Sequence, residues 1–341
     1  TFGVLGEKSH MKLIAETQVS PVESEVLARI SIIRPILTSL LMGIKADILE
    51  ELGGKEGMKL KLLPRAYRPG AGDIGFCFEW AIHDAVRRKD PMVMERLSEA
   101  AKKCKLPGNE FESILFGLEK SGKVQVIDTA KNILTPESRI LTGERAQPPK
   151  LRGYLNQLSA AFNRPETRKA LPSSISGLWK ADLFFGTTDA DRWLGTSLKI
   201  NPTQLEGARG LRIGIVPAAQ GRSDRIKMDE RKNIMVCPIP YDGSFMELFY
   251  TAWGIVQQFI AADANMPKEV NLPVPADRQA VRELVSRREF PIMDVVEALE
   301  PLSQPNLTEQ HLHGIDLSIE KEGEAQLNDA ILAPVALLTH K

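Results

Sequence analysis

Lys180-Ala-Asp182-Leu-Phe-Phe-Gly186 and Trp193-Leu-Gly-Thr-Ser197-Leu-Lys199-Ile-Asn201 are the two stretches that decide the fold. Both are short apolar runs, and each reads as a strand buried in a sheet. Each also carries a charge where an apolar side chain is expected: Asp182 in the first, Lys199 in the second. Burying an unpaired charge costs several kcal/mol, so the two are expected to be paired or to bind a metal ion. Asp189 and Asp191, between the strands, read as hairpin-turn residues.

Outward from this pair, residues 177–260 keep the same rhythm. Thr203–Ala208 reads as a short helix carrying Glu206. Leu211-Arg-Ile-Gly-Ile-Val216 reads as a third strand and Asn233–Ile239 as a fourth, with Arg222, Arg225, Lys227, Arg231 and Lys232 in the loop before it. Ser244–Ala262 closes the run as a strongly apolar helix (Phe245, Leu248, Phe249, Ala252, Val256, Phe259). Short apolar strands alternating with helices predict an α/β core whose mixed central sheet is flanked by helices.

Upstream, residues 15–52 show apolar positions at three- and four-residue spacing, with Pro35 expected to bend or split the helix. Asp73–Arg88 reads as a helix with Asp73 as N-cap, Ile74, Phe78, Ile82 and Ala85 on one stripe, and Glu79 and His83 on another face. Met92–Lys103, a turn at Leu106–Asn109, a second helix at Glu110–Lys120 and a hairpin with Thr129-Ala-Lys131 at its tip resemble a winged helix. Residues 139–176 are basic and Pro/Ser-rich, with one helix at Leu151–Phe162, and two more helices follow near Asp277–Arg288 and Pro291–Leu299. The expected organisation is a helical region over 1–90, a winged-helix-like insertion over 91–140, the main α/β core over 141–262 and a peripheral region over 263–341.

Composition bounds the possibilities. The chain has 341 residues, 43% hydrophobic and 26% charged, ordinary values for a globular protein. Its three cysteines form no CxxC pair, which argues against a zinc site and for a reducing, cytoplasmic compartment. No apolar run reads as a membrane span. Net charge is zero, yet residues 261–341 carry 14 acids against 7 Lys and Arg, leaving the body of the chain basic and suited to a polyanion. No GxSxG, HExxH or kinase motif is present.

A helix with Glu79, a strand with Asp182, a strand ending in Ser197-Leu198-Lys199 and a further strand resemble the PD-(D/E)XK nuclease superfamily, the restriction-endonuclease-like fold. The match covers residues 73–88 and 177–262. The resemblance implies a Mg²⁺-dependent DNA endonuclease, with Mn²⁺ as a substitute, acting in prokaryotic restriction or phage defence. Asp182 would be the central metal ligand and the Leu198 carbonyl another. Lys199 would orient or deprotonate the attacking water and neutralise charge in the transition state. Ser197 stands where the family has Asp or Glu, so Glu79 and Glu206 are the carboxylates expected to complete the set. DNA is the expected partner, with a homo-oligomer or other defence subunits beside it. The alternative is a non-catalytic DNA-binding or assembly subunit on a degenerate nuclease fold.

Overall fold

The apolar runs assemble into one mixed sheet. A computed structural model describes residues 10–15, 21–70, 72–117, 127–144, 147–218, 225–241, 244–266, 272–300 and 321–326. Strand β1 (His10–Ala15) pairs antiparallel with β9 (Lys321–Gln326) in a separate ribbon. The main sheet contains β2 (Phe111–Leu115), β3 (Arg139–Ile140), β4 (Leu183–Thr187), β5 (Arg192–Leu198), β6 (Leu211–Pro217), β7 (Lys227–Asp229) and β8 (Ile234–Ile239). Its order is β2-β4-β5-β6-β8-β7, with β3 beside β5. β2, β4 and β5 run antiparallel in succession, whereas β5, β6 and β8 are parallel.

Both faces of the sheet are covered, which is why its strands are apolar throughout rather than alternating. Leu183 and Phe185 of β4 point to one core, and Phe184 between them points to the other. On the first face lie α1 (Pro21–Gly43), α2 (Asp73–Arg87), α3 (Pro91–Lys103) and α5 (Ser244–Ala261). The second face is covered by α4 (Leu155–Asn163) and by 3₁₀ turns at Leu151–Tyr154, Ser173–Ile175 and Leu178–Lys180.

Helix α1 is the centre of the helical layer. It packs against α2, α5, α6 (Pro275–Ser286) and α7 (Ile292–Leu299). Ile32, Ile33, Ile36, Leu37 and Leu41 have no exposed surface, each contributing about 1.5–3 kcal/mol by burial. Its segment Glu25–Gly43 has a mean hydropathy of 1.5 and is long and apolar enough to cross a membrane, unlike the sequence expectation; it is 83% buried inside the protein. Two arginines on it are ion-paired across the layer, Arg29 with Asp277 and Arg34 with Asp84.

Several expectations need correction. Of the two effects expected of Pro35, the split does not occur: α1 runs through it to Gly43. Within Glu110–Lys120, expected to be a helix, Phe111–Leu115 is strand β2, paired with β4. Ile114 is buried on one face and Leu115 on the other, so burial on both sides imitated helical spacing. Ile127–Ile133 is helical where a hairpin was expected, so the winged-helix-like insertion does not form among the described residues; residues 118–126 lie outside them. Lys227–Asp229, expected in a loop, is strand β7. The short helix expected at Thr203–Ala208 is a 3₁₀ turn, Pro202–Gln204. Helices α6 and α7, expected at the periphery, add Ala280, Val281, Leu284, Ile292 and Val295 to the core around α1.

Candidate active site

Asp182 sits at the point where β4 opens against β5. Lys180-Ala181 leaves a 3₁₀ turn, and the first ladder residue is Leu183, opposite Thr196. The Asp182 amide donates to the Thr196 carbonyl at 2.8 Å, and its carbonyl accepts the Phe116 and Gly117 amides at 2.9 Å each. Its backbone is therefore tied to strands on both sides.

The Asp182 side chain is 8% exposed, and its carboxylate accepts three donors through Oδ2. Ser197 Oγ donates at 3.1 Å, the Leu198 amide at 2.8 Å and Lys199 Nζ at 3.1 Å. The end of β5 thus delivers three consecutive residues to one carboxylate, because the strand has run past its ladder partner and turned its polar groups inward. Burial pushes the Lys199 ammonium down, but the charges of Asp182, Glu79 and Glu206 and the Asp182 hydrogen bond outweigh it, so its pKa lies above the ordinary lysine value. Lys199 is a cation at neutral pH.

Glu79 reaches the same place from α2. Gly72, Gly75, Phe76 and Glu79 line one cleft, a spacing that puts them on a single helix face, while Phe78 on another face meets Phe249 edge-on at 5.5 Å. The cleft has a volume of about 620 Å³. Asp182, Leu198, Lys199, Asn201 and Gln204 form its other wall, with Phe162 at the end of α4 and Gly117 after β2. Glu79 is 7% exposed, and its Oε2 lies so close to Gly117 that a β-carbon there would come within 2.2 Å.

The four residues expected to act together, Asp182, Lys199, Glu79 and Ser197, are therefore brought together, with Leu198 between Ser197 and Lys199. Glu206 is not among the cleft's lining: its exposed carboxylate pairs with Lys180 at 2.8 Å, which holds its pKa below the usual glutamate value. Asp189 and Asp191 serve the β4–β5 turn, as expected. Asp189 accepts the Asn109 and Glu110 amides, and Asp191 accepts the Thr135 and Ser138 hydroxyls. His83 bonds Ser113 Oγ through Nδ1 at 2.6 Å, and burial and Arg87 lower its pKa to about 3.

Sequence reasoning missed Gly117, Phe162 and Gln204. Gly117 was hidden by the helical reading of 110–120. Nothing in the local pattern marks Phe162 or Gln204, since each reaches the cleft from a separate segment.

Two carboxylates, Asp182 and Glu79, face one cleft beside the Leu198 backbone. No group of three or more His, Cys, Asp or Glu side chains fit to hold a metal occurs among the described residues, so a divalent cation held by these two carboxylates would have to complete its shell with backbone oxygen or water. Comparison with protein-family models, curated proteins and solved structures found no match to this chain.

Proposed function

We propose that this chain is a Mg²⁺-dependent DNA endonuclease with a restriction-endonuclease-like core, acting in restriction or phage defence. The observation that carries the reading is the Asp182–Lys199 pair, 3.1 Å apart and facing one cleft with Glu79. The element order adds support: helix α2 with Glu79, antiparallel β2, β4 opening at Asp182, β5 closing at Lys199, then β6 parallel to β5. The β5–β6 connection holds only the turn Pro202–Gln204, a departure from strand–helix–strand crossovers.

A divalent cation held by Asp182, Glu79 and the Leu198 carbonyl would supply positive charge at the scissile phosphate and an acidified water. The chain's own residues do the rest. Ser197 and the Leu198 amide hold the Asp182 carboxylate in one orientation. Lys199, which donates to Asp182, is placed to donate to the phosphate and offset the extra negative charge of the phosphorane. The first turn of α2 lines the cleft through Gly75 and Phe76.

The test is supercoiled plasmid with Mg²⁺ or Mn²⁺. Nicking or linearisation is expected, abolished by EDTA and reduced about 100-fold or more by Asp182→Asn or Lys199→Ala. Full cleavage by Asp182→Asn would remove the reading.

One observation favours a second reading, a non-catalytic DNA-binding or assembly subunit: Ser197 occupies the carboxylate position and bonds Asp182 instead of adding charge. It predicts salt-sensitive DNA retention that neither substitution changes.

A further inference from the structure

We propose that Phe162, backed by Trp179, forms a stacking platform for an unpaired nucleobase in the cleft, so that the substrate is single-stranded or locally opened DNA; this rests on the nuclease reading. Phe162 is 38% exposed and lines the cleft that holds Asp182, Glu79 and Lys199. Phe78, Phe116, Phe184, Phe185 and Phe249 are all fully buried; Phe290 is exposed too, at 57%, but it does not line the cleft, so what marks Phe162 is an exposed ring beside the ionic site.

The ring does not stand alone. Its centroid is 6.2 Å from that of Trp179, at an interplanar angle of 52°. The Arg168 guanidinium carbon lies 3.8 Å from the Trp179 ring centroid, and Lys180 Nζ lies 5.5 Å from it. Arg168 is fixed there by donating from Nε to the Ala161 carbonyl at 2.8 Å. Arg164 and Lys169 on the same connection are exposed. Against these cations stand Glu166, which is exposed, and Glu206, which Lys180 already pairs. Aromatic faces among cations are what a single nucleic-acid strand requires: the rings stack on bases and the cations track the phosphates. In an intact duplex both faces of each base are covered, so a ring beside the scissile phosphate meets a base face only at an end, a gap or a flipped nucleotide.

The experiment uses the full chain in EDTA, so that no strand is cut, with a short oligonucleotide carrying 2-aminopurine, single-stranded or in a blunt duplex, at one fixed salt concentration. The expected result is quenching of the single-stranded probe and preference for it over the duplex. Phe162→Ala should weaken binding roughly 5- to 100-fold and lose the quenching. Phe162→Tyr should retain both, and Phe162→Leu, which keeps apolar bulk, should lose the quenching. Unchanged affinity and quenching in Phe162→Ala, or equal binding of both probes, would overturn the inference. Because binding is read without metal, Phe162-dependent quenching by a protein that leaves plasmid intact would keep the platform and remove the nuclease. Plasmid cleavage insensitive to Phe162→Ala, with Phe162-independent quenching, would do the reverse.

Discussion

Gly117 stands against Glu79: a β-carbon on Gly117 would lie 2.2 Å from Glu79 Oε2 and 3.2 Å from its Cδ. The same residue donates its amide to the Asp182 carbonyl at 2.9 Å. One glycine after β2 therefore lets the two carboxylate-bearing elements approach each other.

Gly117→Ala is predicted to displace the Glu79 carboxylate while leaving the fold intact, because the clashing atoms are the end of a flexible side chain. Divalent-cation affinity or cleavage should fall roughly 10- to 100-fold with little change in melting temperature. Metal titration by calorimetry beside a thermal melt checks this; normal metal affinity would show that Glu79 does not share the ion.

Asp182→Ala removes the acceptor of the Ser197 hydroxyl, the Leu198 amide and the Lys199 ammonium at once. Stranding buried donors costs about 1–3 kcal/mol, and Asp182→Asn, which keeps an acceptor oxygen, should cost less. Urea denaturation ranks the three proteins. An alanine variant as stable as wild type would mean the carboxylate does not organise the end of β5.

Lys199 makes stability depend on pH in the alkaline range only. Its folded pKa is raised above the ordinary value of 10.5, so the charged form favours the folded state. That contribution is fully present below the unfolded pKa and disappears as pH rises through the folded one. The difference in unfolding free energy between wild type and Lys199→Met should be flat from about pH 6 to 9 and shrink above about pH 10.5. A change centred near neutrality would reverse the assignment of Lys199 as a resting cation.

Asp84 joins three elements. It pairs with Arg34 of α1 and with Arg88 Nε at 3.3 Å, and Arg88 Nη2 reaches Asp90 Oδ2, just before α3, at 3.1 Å. Asp84→Ala leaves two buried guanidinium groups short of a carboxylate and should cost about 3–5 kcal/mol. The double variant Arg34→Met, Asp84→Leu should recover part of that loss. Chemical denaturation of both tests it; a single-variant loss under about 1 kcal/mol would assign the network no structural weight.

The legible part of the fold is the part with strong local signal. β4, β5, β6 and β8 and helices α2, α3 and α5 lie where continuous apolar runs or one-sided stripes put them, within a few residues. β2 was misread because a strand buried on both faces shows Phe111, Ile114 and Leu115 at the spacing of a helix. Glu206 looked available from seven residues past Lys199, but its distance along the chain carried no information about Lys180, which takes it. Gly117 and Phe162 were invisible as site residues, since neither carries a charge or belongs to a motif.

By itself the sequence determined that Asp182 and Lys199 must meet a partner, because two charges on apolar strands are too costly to leave alone. It also determined the alternation of strands and helices, since burial periodicity is local. Only the tertiary structure decided which carboxylate joins the pair and which aromatic ring borders it. Glu79, Gly117 and Phe162 arrive from three segments separated from Asp182 by 20 to 103 positions, and such meetings depend on the packing of whole elements, which local spacing does not encode.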